Sequence, residues 1–245
     1  MDTTVYAVEA EVEASHWWFV ARRRLLARLI ARAGISATAG VLDIGTGTGT
    51  NLRLLKELGF SRRRGLDLSD EAIRWCAEKG LGEVAKGDVR RLPFGDGEFE
   101  LVLATDVIEH VDDDTRAISE IRRVLAPGGT AILTVPAFRS LWGVQDEVAQ
   151  HERRYRKREF LEVLRRGGLA CQDSYYFNYL LFVPIWLARR LIRTLDIRLE
   201  SENQVNTPAL NRLLTWIFTL DVHSAGFVRP PFGVSIVAVA RRDPS

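Results

Sequence analysis

The stretch Val41-Leu42-Asp43-Ile44-Gly45-Thr46-Gly47-Thr48-Gly49 decides the fold of this 245-residue chain. Its first four residues are mostly apolar and predict a buried strand, and three alternate glycines follow that strand. Glycine accepts a positive φ and allows a ligand to approach the backbone closely, so the loop is typical of a binding turn. The dinucleotide-binding spacing of glycines is not matched, because its third glycine position holds Thr50. Taken alone, the loop fits either a tight strand–helix turn or a cofactor site.

Short apolar runs and amphipathic helices alternate along the chain on both sides of this stretch. We predict helices over 16–33, 51–58, 70–79 and 113–125, the last stopped by Pro127-Gly128-Gly129, and strands over 41–44, 64–68, 83–86, 99–104 and 130–135. This alternation predicts an α/β fold with a doubly wound, mostly parallel sheet and right-handed crossovers. Ligands of such sheets bind outside the carboxyl ends of the strands.

Four acidic residues lie at or near the carboxyl ends of predicted strands: Asp43, Asp67, Asp88 and Asp106. Asp67 stands where a carboxylate can accept hydrogen bonds from both ribose hydroxyls, a feature that also fits NAD. Asp88 can accept a hydrogen bond from the exocyclic amine of an adenine. Each acid alone could equally cap a helix. Four acids together with three glycines, all at strand ends, predict a site for a nucleoside-containing cofactor.

The segment Val41–Pro136 resembles the class I S-adenosylmethionine-dependent methyltransferases, in the type 11-like branch that acts on small molecules and lipids. The motifs that carry the resemblance are Asp43–Gly49, Gly65–Ser69, Gly87-Asp88-Val89, Leu92-Pro93-Phe94, Asp106–His110 and Leu125–Gly129. The resemblance implies a Rossmann-like, seven-stranded sheet whose last strand is antiparallel, with 170–177 and 234–240 as the final two strands.

The resemblance also implies the cofactor, S-adenosyl-L-methionine, which leaves as S-adenosyl-L-homocysteine. The Gly45–Gly49 loop would meet the methionine part, Asp67 the ribose, and Asp88 with Val89 the adenine. The expected cofactor-binding residues are Asp43, Gly45, Thr46, Gly47, Gly49, Asp67, Leu68, Asp88, Val89 and Asp106.

Two histidines are candidates for catalysis on the acceptor side. Methyl transfer is an in-line displacement that depends mainly on alignment, and an oxygen or nitrogen acceptor can also need a base. His110 follows the fourth strand, and His151 follows the fifth, where the family places acceptor-contacting residues. We predict His151 as the base, with Arg154 and Tyr155 binding the substrate. A purely structural role remains open for each of them.

The chain is predicted to form one domain with additions to the minimal fold. Residues 1–39 would form a helical lid, 40–177 the cofactor-binding core, 178–231 an apolar helical insert and 232–241 the last strand. Trp17 and Trp18 on the lid are candidates for the acceptor-site wall. The insert could cap the pocket, contact a membrane and admit a lipid-linked acceptor, or mediate dimerisation.

Composition limits the possible partners. The formal net charge is +2, and the two cysteines, Cys76 and Cys171, lack metal-ligand spacing, so we expect no metal. The absence of a signal-peptide pattern predicts a cytoplasmic protein, with peripheral membrane contact as an option. Thr105-Asp106-Val107-Ile108 stands where a base-flipping tetrapeptide would occur, so nucleic acid is not expected as a partner.

Together these features predict methyl transfer from S-adenosylmethionine to a small-molecule or lipid-linked acceptor, with oxygen as the favoured acceptor atom. Two alternatives remain open: a module that binds S-adenosylmethionine without turnover, and an NAD-dependent enzyme on the same fold. Fold alone does not identify the acceptor.

Overall fold

The computed structural model describes residue 10, residues 12–195 and residues 207–244. The predicted lid (1–39) and the predicted insert (178–231) therefore each extend partly outside the described residues. Within the described ranges, no helix is both long and apolar enough to cross a membrane.

Seven strands form a single sheet in the order β3-β2-β1-β4-β5-β7-β6. Their bounds are β1 (Gly40–Ile44), β2 (Arg62–Asp67), β3 (Glu83–Lys86), β4 (Phe99–Thr105), β5 (Leu125–Pro136), β6 (Ala170–Phe177) and β7 (Ser235–Arg241). The first five strands are parallel to one another, and β7 is antiparallel to both of its neighbours. The predicted doubly wound sheet with an antiparallel last strand is confirmed.

Helices cover the sheet and line its carboxyl edge. They are α1 (Trp17–Ala33), α2 (Thr50–Glu57), α3 (Asp70–Glu78), α4 (Asp114–Val124), α5 (Val144–Val148), α6 (Lys157–Arg166), α7 (Phe182–Thr194) and α8 (Pro208–Val228). One prediction was wrong: the Pro127-Gly128-Gly129 run does not stop α4. That helix ends at Val124, Leu125 is already extended with ψ 136°, and β5 begins there.

The strand register gathers the carboxyl ends of three strands at one edge. Ile44, the last residue of β1, pairs with Leu66 of β2 on one side and with Ala104 of β4 on the other. The chain order reverses between β1 and β4, which is the switch point where doubly wound sheets bind ligands. The loops after these three strands therefore open into one common space.

Apolar side chains of the sheet pack against helices on both faces. On one face, the sheet packs against α4 and α6 through residues such as Ile118 and Phe160. On the other face, it packs against α1, α2 and α8 through residues such as Leu25, Leu52 and Phe218. Each fully buried side chain of this size contributes roughly 1.5–3 kcal/mol, so the core holds the strand ends firmly in register.

The insert helices are tied to the sheet by one buried carboxylate. Asp221 on α8 accepts backbone N–H bonds from Asn178 (2.7 Å), Tyr179 (2.5 Å) and Leu180 (2.9 Å), in the turn that joins β6 to α7. Burial raises the pKa of Asp221 to about 6, against the effect of these three bonds. The carboxylate thus sets where α7 begins relative to α8.

We predict that Asp221→Ala lowers the free energy of unfolding by about 2–4 kcal/mol, because one buried and two partly buried backbone donors lose their acceptor. Urea denaturation measures this loss. His223→Ala, an exposed change on the same helix, should leave stability within about 0.5 kcal/mol. A loss below about 1 kcal/mol for Asp221→Ala would show that the turn does not depend on this carboxylate.

Candidate functional site

A cavity of about 830 Å³ opens at the carboxyl edge of the sheet. Its walls come from the ends of β1, β2, β4 and β5, the loops that follow them, α1, and the insert helices α7 and α8. The volume lies in the range that holds a cofactor-sized ligand. The sequence-predicted lid and insert therefore both contribute to the same pocket.

The glycine-rich loop forms the floor of this cavity after β1. Gly45 has φ 70° and Gly49 has φ 91°. A Cβ at Gly45 would lie 2.5 Å from Val107, and one at Gly49 would lie 2.2 Å from Leu81. Larger residues would therefore strain the backbone and collide with packed side chains, so this tight turn requires glycine at both positions.

Asp67 at the end of β2 is held in place by backbone donors. Its carboxylate accepts N–H bonds from Gly47 (2.9 Å) and Ser69 (2.9 Å) and lines the cavity. Burial raises the pKa of Asp67, while the bonds from Ser69 and Gly47 act in the opposite direction. The carboxylate is thus oriented at the position expected for a ribose contact.

Asp43 lies behind the glycine-rich loop and does not line the cavity. It is fully buried, and Asn51 on α2 donates to Asp43 (3.0 Å) and to Thr105 at the end of β4 (2.9 Å). Burial raises the pKa of Asp43 to about 7, against the Asn51 bond. The bridging role of Asn51 between two strands was not predicted from the sequence.

The expected adenine side is divided between lining and non-lining residues. Leu68 and Val89 line the cavity, whereas Asp88 does not. The Asp88 carboxylate instead receives two guanidinium bonds from Arg90, at 2.5 and 3.0 Å. These bonds hold the pKa of Asp88 below its usual range. The contact of Asp88 with adenine stays a prediction.

Asp106 connects the end of β4 to the lid helix. It has φ 56°, and its carboxylate accepts bonds from Arg22 on α1 (2.5 Å) and from Thr134 on β5 (3.0 Å). Arg22 also lines the cavity. The ion pair places the lid helix across the pocket, a long-range contact that the sequence analysis did not identify.

The candidate acceptor-side residues divide in the same way. Trp17, Trp18 and Arg154 line the cavity, and both indole rings also contact the ring of Phe218 on α8. Tyr155 is not part of the lining, since its hydroxyl is buried and donates to Asp114 (2.9 Å). Its role in substrate binding stays a prediction.

His151 is oriented by a buried aspartate. Nδ1 of His151 lies 2.8 Å from Asp146, whose two oxygens also accept bonds from Arg154 at 2.6 and 3.0 Å. Burial acts to raise the pKa of Asp146, but the bonds from His151 and Arg154 hold it well below its usual range. Because Asp146 accepts the hydrogen bond at Nδ1, the neutral form of the imidazole carries its proton there and has its lone pair on Nε2. The role of Asp146 was not predicted.

Glu109 and His110 complete this end of the cavity. Glu109 is fully buried, and neither of its carboxylate oxygens has a hydrogen-bond partner among the described residues. It lies 3.9 Å from Nε2 of His151, whose ring packs 4.7 Å from that of His110. Burial, and then Asp106, raise the pKa of Glu109 well above its usual value. Burial, and then His151, lower the pKa of His110 to about 4.

Glu109 lies within the Asp106–His110 motif, but no role was predicted for it from the sequence. The signal available was its place beside His110, just after the fourth strand. What the sequence could not supply was the distance to His151, which lies 42 positions further on.

Residues 42–133 match the family described as a methyltransferase domain. Two curated relatives also match: a norajmaline N-methyltransferase of Rauvolfia serpentina, 35% identical with 48% of this chain and 43% of the relative covered, and a tocopherol O-methyltransferase of Oryza sativa subsp. japonica, 31% identical with 48% and 34% covered. The chain thus spans less than half the length of these relatives, so their acceptors are not transferred to it.

A solved structure shares the fold over nearly the whole chain. It is the complex of the Haloferax volcanii Trm112 methyltransferase activator with a methyltransferase, 22% identical, with a TM-score of 0.66 and coverage of 98% of this chain and 95% of that chain. At this identity, the likeness is evidence of the fold alone. The family match makes S-adenosylmethionine the cofactor, which confirms that prediction.

We predict that Asp67→Ala weakens S-adenosylmethionine binding about ten- to hundredfold, because an oriented charged acceptor is lost. Calorimetric titration of purified protein measures the change. Asp70→Ala is the matched control, since Asp70 lies three residues on and forms only an exposed ion pair with Lys86. Binding of NAD but not of S-adenosylmethionine would contradict the cofactor assignment.

Proposed function

We propose that this chain, which carries a class I S-adenosylmethionine-dependent methyltransferase domain, transfers the methyl group to a hydroxyl oxygen of a small-molecule or lipid-linked acceptor. The observation that carries the proposal is the Asp146–His151 pair, in which Asp146 contacts Nδ1 of a histidine that lines the cavity.

The choice of oxygen as the acceptor atom follows from the proton that the acceptor must lose. In the transfer, the acceptor oxygen forms a bond to the methyl carbon while the carbon–sulfur bond breaks and its electron pair stays on sulfur. A neutral hydroxyl is a weak nucleophile that gains from losing its proton as it attacks, whereas a neutral amine can attack first and lose its proton afterwards. An oriented histidine beside the acceptor assists that proton loss. The names of the relatives include both an N-methyltransferase and an O-methyltransferase, so the comparisons do not distinguish between the two acceptor atoms. The histidine is the feature that favours oxygen.

Turnover is favoured over binding alone by the same residues. A module that only stores the cofactor has no need of an ionised aspartate that holds a histidine at the far end of the pocket. The alternative of an NAD-dependent enzyme is disfavoured by the loop, since Thr50 occupies the third glycine position of the dinucleotide spacing.

We predict that His151→Ala lowers turnover at least about tenfold while S-adenosylmethionine affinity is unchanged, because the residue serves the acceptor and not the cofactor. The assay follows radiolabelled methyl transfer from S-adenosylmethionine to a panel of phenols, catechols and long-chain alcohols, with matched amines beside them.

His223→Ala is the control, because His223 is an exposed histidine on α8 whose Nδ1 lies 2.7 Å from the carbonyl oxygen of Thr219. Full activity of His151→Ala would remove that histidine from the mechanism. Methylation of the amines without the hydroxyl compounds would overturn the choice of oxygen while leaving methyl transfer intact.

An apolar acceptor is supported by the insert. Ile185 and Ile192 on α7 and Leu214 on α8 line the cavity. The same helices carry exposed apolar stripes that face away from the pocket. These stripes consist of Val183, Leu187, Leu191 and Leu195 on α7 and Leu213, Trp216, Leu220 and Phe227 on α8. Exposed arginines lie on the same helices. Apolar stripes with flanking cations suit peripheral contact with an anionic membrane from which a lipid-linked acceptor would be drawn.

We predict that the wild-type protein floats with vesicles of phosphatidylcholine and phosphatidylglycerol at low salt, and that Trp216→Asp reduces the floating fraction severalfold. A charge in place of an indole that is 66% exposed would face the apolar lipid boundary. Leu58→Asp, at an exposed site directly after α2, is the matched control. Failure of the wild type to float would exclude membrane contact and leave the small-molecule acceptor in place.

A further inference from the structure

The burial of the Glu109 carboxylate costs free energy. Its side chain is fully buried at the pocket wall, and neither oxygen has a hydrogen-bond partner among the described residues. A buried carboxylate is normally paired with a cation, hydrogen-bonded, or bound to a metal. Arg22 pairs with Asp106 and Arg154 pairs with Asp146, and the charges of both arginines also act on Glu109. The carboxylate therefore faces the cavity ready for a cationic ligand.

Two histidines present ring nitrogens to the same point. One ligand atom from each of Glu109, His110 and His151 can be chosen so that all lie within 4.8 Å of one another. Glu109 Oε1 and His151 Nε2 are 3.9 Å apart. Two ligands that share one metal at bond lengths of about 2.0–2.2 Å are typically about 3.0–3.6 Å apart. Small side-chain rotations would close the remaining gap.

The His151 imidazole is oriented through its other nitrogen, since Nδ1 lies 2.8 Å from Asp146 Oδ1. His110 also forms a hydrogen bond with the backbone of Gln150. Metal-binding histidines characteristically donate their second N–H to a carboxylate or to a backbone carbonyl. Gln150 also has a positive φ of 57°, an unusual backbone conformation of the kind that clusters at functional sites. The surroundings of His151 thus match those of a metal ligand.

We propose that Glu109, His110 and His151 bind one divalent transition-metal cation in a two-histidine, one-carboxylate arrangement. Such a set leaves coordination positions open for an outside ligand. The expectation of no metal rested on cysteine spacing, which does not bear on a site made of nitrogen and oxygen ligands.

The catalytic use of the metal rests on the proposed function. An acceptor hydroxyl bound at an open position would have its pKa lowered by the cation and release its proton to solvent. The resulting oxygen anion attacks the methyl carbon, the carbon–sulfur bond breaks, and the electron pair remains on the sulfur of S-adenosylhomocysteine. His151 then assists proton loss as a metal ligand through the same Nε2 lone pair.

The test is Co²⁺ titration of chelator-treated, tag-free protein, followed by visible absorption. We expect one equivalent to bind, with bands typical of nitrogen and oxygen ligands. Glu109→Gln, His110→Ala and His151→Ala should each weaken Co²⁺ binding at least about tenfold. His223→Ala, which removes an exposed histidine outside the cluster, should bind like the wild type. Thermal unfolding of each variant checks that it is folded.

Glu109→Gln is the most informative variant, since it preserves shape and removes only the charge. If none of the three variants weakens Co²⁺ binding, or if the wild type does not bind it, the site is excluded. A sulfur-to-cobalt charge-transfer band would place the ion on the exposed Cys171 instead and would also overturn the proposal. S-adenosylmethionine titration of the same samples keeps the two proposals apart, because loss of cofactor binding would count against the proposed function alone.

Discussion

The parallel pairing of β1 with β2 on one side and with β4 on the other is the constraint on which the rest of the structure depends. It ends three strands at one edge, with Ile44 level with Leu66 and Ala104. Every loop that enters the pocket starts from that edge, so the glycine turn, the Asp67 carboxylate and the residues after β4 converge without long connecting segments. The apolar core on both faces keeps this edge in register, because a slip of one residue would turn buried side chains outward.

The two ends of the pocket satisfy their polar groups in opposite ways. At the cofactor end, Asp67 is held by backbone N–H groups, and Asp43 is bonded to Asn51. At the acceptor end, Asp146 is bonded to a histidine and an arginine, but the neighbouring Glu109 has no hydrogen-bond partner among the described residues. The polar groups of the cofactor end are thus satisfied within the protein, whereas the acceptor end keeps a buried carboxyl group that can bind a ligand.

Charged side chains, in addition to the apolar core, join α1 and α8 to the rest of the fold. Glu13, before the lid helix, bonds to Thr48 and Thr50 of the glycine loop and to Lys79 beyond α3. Arg22 joins the lid to β4, and Asp221 joins α8 to the start of α7. Removing the partners of a buried carboxylate strongly destabilises the folded protein. These contacts therefore restrict α1, α7 and α8 to a narrow range of positions over the pocket.

The sequence alone determined the alternation of strands and helices up to the fifth strand, the glycine turn, and the positions of Asp67 and Asp106 at strand ends, because hydrophobic periodicity and glycine spacing are local properties. It did not predict the helices α5 and α6. It misplaced the end of α4, since Leu125 has helical periodicity but pairs with Phe99 in the sheet. Only the tertiary structure decided which of the candidate site residues line the same cavity. In the folded protein, Asp88 bonds to Arg90 and Tyr155 bonds to Asp114, and neither lines the cavity. Glu109 and His151, which are far apart in the sequence, lie close together at the sheet edge. Such pairings depend on strand register and on the competition between partners for each charge, and neither can be read from spacing along the chain.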